Sequence, residues 1–122
     1  MLRIRIPAAI AAFAILAGPA AAEGFVRIAD RDTFLGTVAG KELRYGMFGI
    51  SLRVMPDGRI DGEAMGWGVE GTWEWRDGYF CRELDWSGTA IPANCQLVEA
   101  NGSRVRFTVD RGAGRSAAFA LR

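Results

Sequence analysis

The sequence predicts a mainly β protein, in which about eight short antiparallel strands form a meander that closes into a small barrel. From Leu43 onward, apolar and polar residues alternate with a period of two, and turn sequences recur at short intervals. One short helix precedes this region. Closure is favoured because it removes the exposed edges that a free meander would keep. An open, strongly bent sheet wrapped over the helix is the alternative.

Residues 1–22 are typical of a cleavable signal peptide. Two arginines among the first five residues precede an uninterrupted apolar run at residues 8–17. Gly18-Pro19 ends this run before it reaches the roughly 20 apolar residues that a membrane-spanning helix needs. Ala20-Ala21-Ala22 provides an A-x-A-like cleavage site. We therefore expect a periplasmic or secreted protein with no stable membrane anchor after cleavage, and a single domain at residues 23–122.

The charge of the mature domain argues against nucleic acid as a partner. The chain has 15 basic and 14 acidic residues, and cleavage would remove Arg3 and Arg5, which leaves 13 basic residues and a formal net charge of −1. A domain with this balance has no electrostatic preference for DNA, RNA or an anionic membrane surface.

A helix is predicted over residues 31–39. Asp30 is a favourable N-cap residue, and Gly40 suits the position just after the C-terminus. Helical spacing places three apolar side chains on one face: Phe34, Leu35 and Val38.

Eight strands follow the helix, near residues 42–47, 50–55, 60–66, 69–75, 79–86, 95–100, 104–110 and 116–121. Three connections have explicit turn sequences: Pro56-Asp57-Gly58, Arg76-Asp77-Gly78 and Asn101-Gly102. Alternation assigns one face of the sheet to the core, including Ile50, Leu52, Val54, Val69, Trp73, Trp75, Phe80, Leu84, Trp86, Val105, Phe107 and Val109. Arg82 shares the spacing of this set and is interpreted as an exception near the rim.

Cys81 and Cys95 are predicted to form a disulfide, because export delivers them to an oxidising compartment and only one intramolecular pairing exists. Closing a loop of about 15 residues is worth roughly 3 kcal/mol. Alternation points Cys81 outward. The disulfide would then hold an eight-residue connection at 87–94, the longest break in the meander. Long loops on a barrel often carry binding surfaces.

The glycine-rich segment at 62–71 is a candidate binding feature. Glycines inside strands mark bulges or close approach by another backbone or a ligand. Trp67 stands between Gly66 and Gly68, with little neighbouring side chain to cover it. One interpretation is a barrel corner with Trp67 folded over the end of the core. The other is a ligand or partner site built from Trp67, Gly66 and Gly68 together with Ile91 and Pro92 of the long connection.

The residue types exclude most catalytic mechanisms. The absence of histidine excludes Ser-His-Asp and Cys-His catalysis and imidazole metal sites, and Lys41 is the single lysine. Glu83 and Asp85 share a strand face and, with Arg82, are weak candidates for acid–base work. A solvated or ion-paired surface is the preferred interpretation of these residues. No catalytic residue, metal or cofactor is predicted, and the prediction leans away from an enzyme.

Five stretches of the mature chain carry a family resemblance: Gly66-Trp67-Gly68, Gly71-Thr72-Trp73-Glu74-Trp75, Asp77-Gly78-Tyr79-Phe80-Cys81-Arg82, Ile91-Pro92-Ala93-Asn94-Cys95-Gln96 and Phe107-Thr108-Val109-Asp110-Arg111-Gly112-Ala113-Gly114. In these residues the chain resembles a group of small exported bacterial proteins of unknown role, often labelled dihydrodipicolinate reductase. Dihydrodipicolinate reductases are longer cytosolic enzymes with a Rossmann domain and a catalytic motif containing histidine and lysine. This chain has none of those parts, so the resemblance implies export and not reductase activity.

Three functional hypotheses follow. The first is a non-catalytic exported β-barrel module that binds a small apolar ligand or a protein partner through Trp67 and the 87–94 connection. The second is an inhibitor of an exported hydrolase, by analogy with other small disulfide-bonded barrels. The third is an enzyme with the activity of the family label, which would rely on Glu83, Asp85 and Arg82.

Overall fold

The computed structural model describes residues 24–122, which form a closed eight-stranded antiparallel β-barrel with one α-helix. The predicted fold class is confirmed, and the closed barrel is correct rather than the open sheet. The predicted signal peptide lies outside the described residues. Within residues 24–122, no helix has the length and apolar character needed to cross a bilayer.

The elements in chain order are β1 (Val26–Arg27), α1 (Arg31–Val38), β2 (Leu43–Tyr45), β3 (Ile50–Val54), β4 (Arg59–Ala64), β5 (Trp67–Arg76), β6 (Tyr79–Trp86), β7 (Thr89–Asn101), β8 (Arg104–Thr108) and β9 (Ser116–Leu121). A short 3-10 turn occupies Gly46–Phe48, and Asp110–Gly112 forms a turn in which all three residues have a positive φ. Each barrel strand overlaps a predicted one, whereas the two-residue β1 was not predicted.

The barrel closes by pairing its first strand with its last. Each strand from β2 to β9 pairs with the next one along the chain, and Leu43 of β2 also lies opposite Leu121 of β9. β8 pairs with β7 over Leu97–Asn101 only, so the first half of β7 has β6 as its sheet partner. β1 joins the last part of β7, beside Glu99 and Ala100.

The helix closes one end of the barrel, which we call the helix end. The N-cap of the helix is Asp30, as predicted. At the other end, Gly40 follows the C-cap residue Ala39 and has a positive φ of 75°. The Arg31 side chain donates a hydrogen bond to the Pro56 carbonyl, which ties α1 to the β3–β4 turn. Because the strands alternate in direction, the connections at 46–49, 65–66 and 87–88 lie at the opposite end, which we call the open end.

We predict that the cap at Asp30 makes the stability of the helix end depend on pH. The Asp30 carboxylate accepts the Thr33 backbone N–H and the Thr33 hydroxyl, and these hydrogen bonds lower its pKa. A lowered folded-state pKa gives stability that is present above the unfolded value and is lost as the pH falls through the folded value. Asp30→Asn should therefore have a lower Tm than wild type at about pH 7. At about pH 2.5 the two Tm values should converge, because the wild-type carboxylate becomes protonated.

The matched control for this prediction is Asp32→Asn, which removes a carboxylate from the same helical turn without touching the cap. Thermal melts of the three proteins at both pH values make the comparison. A Tm difference for Asp30→Asn that stays constant down to the acidic pH would contradict a role for the ionised cap.

The prediction of a long connection at 87–94 is wrong. Ser87-Gly88 alone forms the turn, with φ values of 49° and 98°, and β7 begins at Thr89. Positive φ at both central residues is the type I′ pattern that matches the twist of a hairpin. Pro92 is compatible with a strand here because the β6–β7 register shifts between Arg82 and Leu84, opposite the proline.

The predicted disulfide between Cys81 and Cys95 is present. The two residues lie directly opposite each other on β6 and β7. The bond therefore joins neighbouring strands, and it does not hold a loop as predicted. Cys81 lies on the strand face opposite Phe80 and is nevertheless buried.

Two glycines on the inward face let the strands β3 to β6 approach one another closely. A Cβ atom on Gly62 would overlap the Ser51 carbonyl oxygen, and one on Gly71 would overlap the Glu83 carbonyl oxygen. The close approach predicted for the segment at 62–71 is therefore found at these two positions.

Candidate functional site

The barrel interior is filled at the helix end. Phe34 of α1 is fully buried, and its ring lies 5.4 Å from that of Trp73, 5.1 Å from those of Trp75 and Phe80, and 6.3 Å from that of Phe107. The indole N–H groups of Trp73 and Trp75 donate to the carbonyls of Met55 and Ala29. These contacts produce a solid aromatic layer beneath the rest of the barrel interior.

Above this layer the barrel is hollow. A cavity of about 400 Å³ extends from Phe80 and Phe107 toward the open end. Its walls are mainly apolar and come from strands all around the barrel, including Leu43, Ile50, Leu52, Leu84, Ala117 and Phe119. We call this space the lumen.

Aromatic side chains line the lumen at the open end. Tyr45 lies between two phenylalanines, with ring distances of 5.8 Å to Phe48 and 5.5 Å to Phe119. Phe48 belongs to the 3-10 turn after β2 and is half exposed while also lining the lumen. An apolar ligand entering from this end would meet these rings before it reached the interior.

Arg82 is partly buried and borders both the lumen and an outer groove that Glu74, Glu83 and Asp110 also line. It alternates with Phe80 and Leu84 along β6, and all three residues line the cavity. Its guanidinium donates a hydrogen bond of 2.9 Å to the Pro92 carbonyl, and no carboxylate among residues 24–122 forms an ion pair with it. Burial lowers the pKa of Arg82. An arginine nevertheless stays charged at neutral pH, because its ordinary pKa lies far above neutrality.

Gln96 is the second polar side chain in the lumen wall. It is only 6% exposed and lies opposite Phe80 on β7. No hydrogen bond to its amide exists within the described part of the chain, and the amide faces the cavity. Within residues 24–122 no buried side-chain nitrogen or oxygen lacks a hydrogen-bond partner, so the Gln96 amide is accessible from the cavity and is free to bind a ligand there.

The residues predicted to bind a ligand lie elsewhere. Trp67 is 61% exposed and, with Trp86, lines a shallow depression beside the Ser87-Gly88 turn at the open end, so it does not fold over the core. Gly66 and Gly68 border an outer groove. Ile91 is partly buried and Pro92 exposed on the first half of β7. None of these five residues lines the lumen.

The weak catalytic candidates are not brought together. Glu83 and Asp85 are exposed and alternate with Arg82 along β6, so they lie on the outer face while Arg82 lies on the inner one. The Asp85 carboxylate accepts the backbone N–H of Gly88 and so stabilises the turn between β6 and β7. This arrangement explains Asp85 as a structural residue.

Sequence reasoning assigned Arg82 to the rim and overlooked Gln96. For Arg82 the signal was present, since it has the inward spacing of Phe80 and Leu84. For Gln96 the signal was weak. Its strand was predicted to begin only at residue 95, and the residues of that strand were not assigned to the inward or the outward face. A polar residue at an inward position of an otherwise apolar strand is the pattern that would have predicted both lumen residues.

Fold and site together define a small disulfide-bonded β-barrel with a hollow, largely apolar lumen that is bordered by the partly buried Arg82. No protein-family model matches the chain, and neither the curated proteins nor the solved structures compared with it provide a match. Function is therefore inferred from the lumen.

Proposed function

We propose that this protein is a non-catalytic, exported binding module that carries a small apolar ligand inside its barrel. The lumen is the observation that carries the proposal. Its volume of about 400 Å³ lies within the range of about 300–1,000 Å³ typical of small-molecule sites. Such sites combine apolar walls with a few polar groups that orient the ligand, and Arg82 and Gln96 fit that description.

Export is supported by two independent features. The N-terminal residues have the pattern of a signal peptide. The disulfide between Cys81 and Cys95 is a bond that persists in oxidising compartments such as the periplasm or the extracellular space. A carrier in such a compartment would shield an apolar molecule from water during transfer.

A protein partner is the second candidate. Four apolar side chains are strongly exposed on or next to the turns at the open end: Met47, Phe48, Met65 and Trp67. Backbone contact joins the two turns, since the Met65 N–H donates to the Phe48 carbonyl. Exposed apolar groups that lie together often mark protein contacts. Inhibition of an exported hydrolase would be one use of such a surface.

The lumen is tested with N-phenyl-1-naphthylamine, a neutral apolar dye whose fluorescence rises in apolar surroundings. Ala117 lines the lumen on β9, opposite Phe107 on β8. Ala117→Phe fills part of the cavity and should weaken dye binding at least about tenfold, which is roughly 1.4 kcal/mol. Ile50→Trp narrows the lumen from β3 and provides a second variant should Ala117→Phe fail to fold.

Trp67→Ala is the control, because Trp67 lies outside the lumen. It should leave the affinity for the dye unchanged. Weaker binding in Trp67→Ala with unchanged binding in both lumen variants would move the ligand site to the outer surface. Absence of saturable binding to the wild-type protein would count against the carrier function altogether.

A further inference from the structure

The lumen has a one-sided charge. Two arginines, Arg82 and Arg115, line it, and the described residues contribute no aspartate or glutamate to its walls. This contrasts with the mature chain as a whole, in which acidic residues slightly outnumber basic ones. The lumen is open at one end, where Arg115 is exposed, and Arg82 is partly buried. A largely apolar space whose charged groups are all positive favours a negatively charged occupant.

Arg82 and Gln96 are placed to act together. Phe80 pairs with Gln96 across β6 and β7, and Arg82 is the next inward residue along β6. The two polar residues are thus diagonal neighbours on adjacent strands, at a spacing that long side chains can bridge. The guanidinium uses one of its donors on the Pro92 carbonyl, and its other N–H groups have no protein acceptor among residues 24–122.

We propose that the ligand is an anionic amphiphile of the fatty-carboxylate type, whose carboxylate binds Arg82 and Gln96 while its chain fills the apolar lumen. This inference rests on the carrier function proposed above. An arginine can donate two parallel hydrogen bonds to one carboxylate, and the glutamine NH₂ group can donate a third. Phe80, Leu84 and Phe107 surround the inner part of the chain.

The physical reason lies in desolvation. The Arg82 side chain is partly buried and forms no ion pair among residues 24–122, so it has lost part of its hydration, and an entering carboxylate supplies a partner. A neutral chain of the same length would bury its apolar surface but leave Arg82 unpaired. A cationic chain would be repelled by both arginines.

Isothermal titration calorimetry separates the contribution of the ligand's carboxylate from that of its apolar chain. The ligands are decanoate, decanol, decylammonium and acetate, all below their aggregation concentrations. We expect wild-type protein to bind decanoate more tightly than decanol, and to bind decylammonium and acetate weakly or not at all. Arg82→Gln should weaken decanoate binding by about 10- to 100-fold, the usual range for hydrogen bonds to a charged group, and leave decanol binding unchanged.

Arg53→Gln is the matched control. It removes the same charge from the exposed outer face of β3, where Arg53 forms an ion pair with Asp61. Its decanoate affinity should equal that of wild type. Arg82→Lys, which keeps the charge but loses the planar fork, should retain part of the preference for decanoate.

The outcomes distinguish the two proposals. Equal binding of decanoate and decanol, unchanged by Arg82→Gln, would overturn the anionic ligand and leave the apolar carrier in place. Failure of every ten-carbon ligand together with the neutral dye would overturn both. Equal weakening of decanoate by Arg82→Gln and Arg53→Gln would assign the effect to overall charge and also overturn the inference.

Discussion

Replacing Phe34 by alanine is expected to lower the free energy of unfolding by about 3–5 kcal/mol, the range for deleting a buried phenylalanine side chain. Phe34 is fully buried and contacts the rings of Trp73, Trp75, Phe80 and Phe107. Its removal leaves a void that the strands cannot close, because barrel pairing holds their positions. Since a small domain has a total stability of about 5–15 kcal/mol, this one change removes a large share of it.

Urea denaturation measures this effect. Leu35→Ala is the control on the same helix, since Leu35 is only partly buried against the core and should lose clearly less stability. Both variants should keep the wild-type m-value if they unfold in one step. A loss below about 1 kcal/mol for Phe34→Ala would mean that the helix end repacks easily, and it would refute the rigid aromatic layer.

Gly62→Ala is expected to destabilise the barrel by about 2–6 kcal/mol, because overpacking costs about 1–3 kcal/mol and a strained backbone position adds a similar amount. Gly62 has a φ of 150°, which L side chains rarely adopt. An added Cβ would overlap the carbonyl oxygen of Ser51 and approach the backbone of Leu52 on β3. Both are backbone groups within a paired strand, so neither can rotate away.

Gly68→Ala is the matched control on the neighbouring strand. Nothing lies within 4 Å of a Cβ built at Gly68. Gly68→Ala should therefore change the free energy of unfolding by no more than about 0.5 kcal/mol, as most surface substitutions do. If Gly62→Ala and Gly68→Ala had the same stability, the close approach of β3 and β4 would not constrain the barrel.

Local features of this protein were predictable from residues that are close in the chain. Asp30 and Gly40 mark the two ends of α1, and the Asp77-Gly78 turn has the dihedral angles that its sequence suggests. The same reasoning was available for Ser87-Gly88 but was not applied. An expected long loop took the place of the first part of β7 as a result.

Other features depended on residues far apart in the chain. The Cys81–Cys95 bond was predictable, but its function in joining opposite residues of two strands required the β6–β7 register. Trp67 has an unusual sequence setting, yet it is exposed at the open end and does not line the lumen. Arg82 has the spacing of the core face but was predicted to lie near the rim, and only the closed barrel places it beside the lumen.

Alternation, turn residues and the cysteine pair were enough to predict a meander with one helix and one disulfide. They act over two to four residues or through a single possible pairing, so they need no tertiary information. Whether the interior is filled or hollow was decided by the tertiary structure. Phe34 fills only the helix end, while the side chains of the remaining inward positions do not reach across the barrel. The volume of the cavity depends on the distance between opposite strands of the barrel, and no single strand determines that distance.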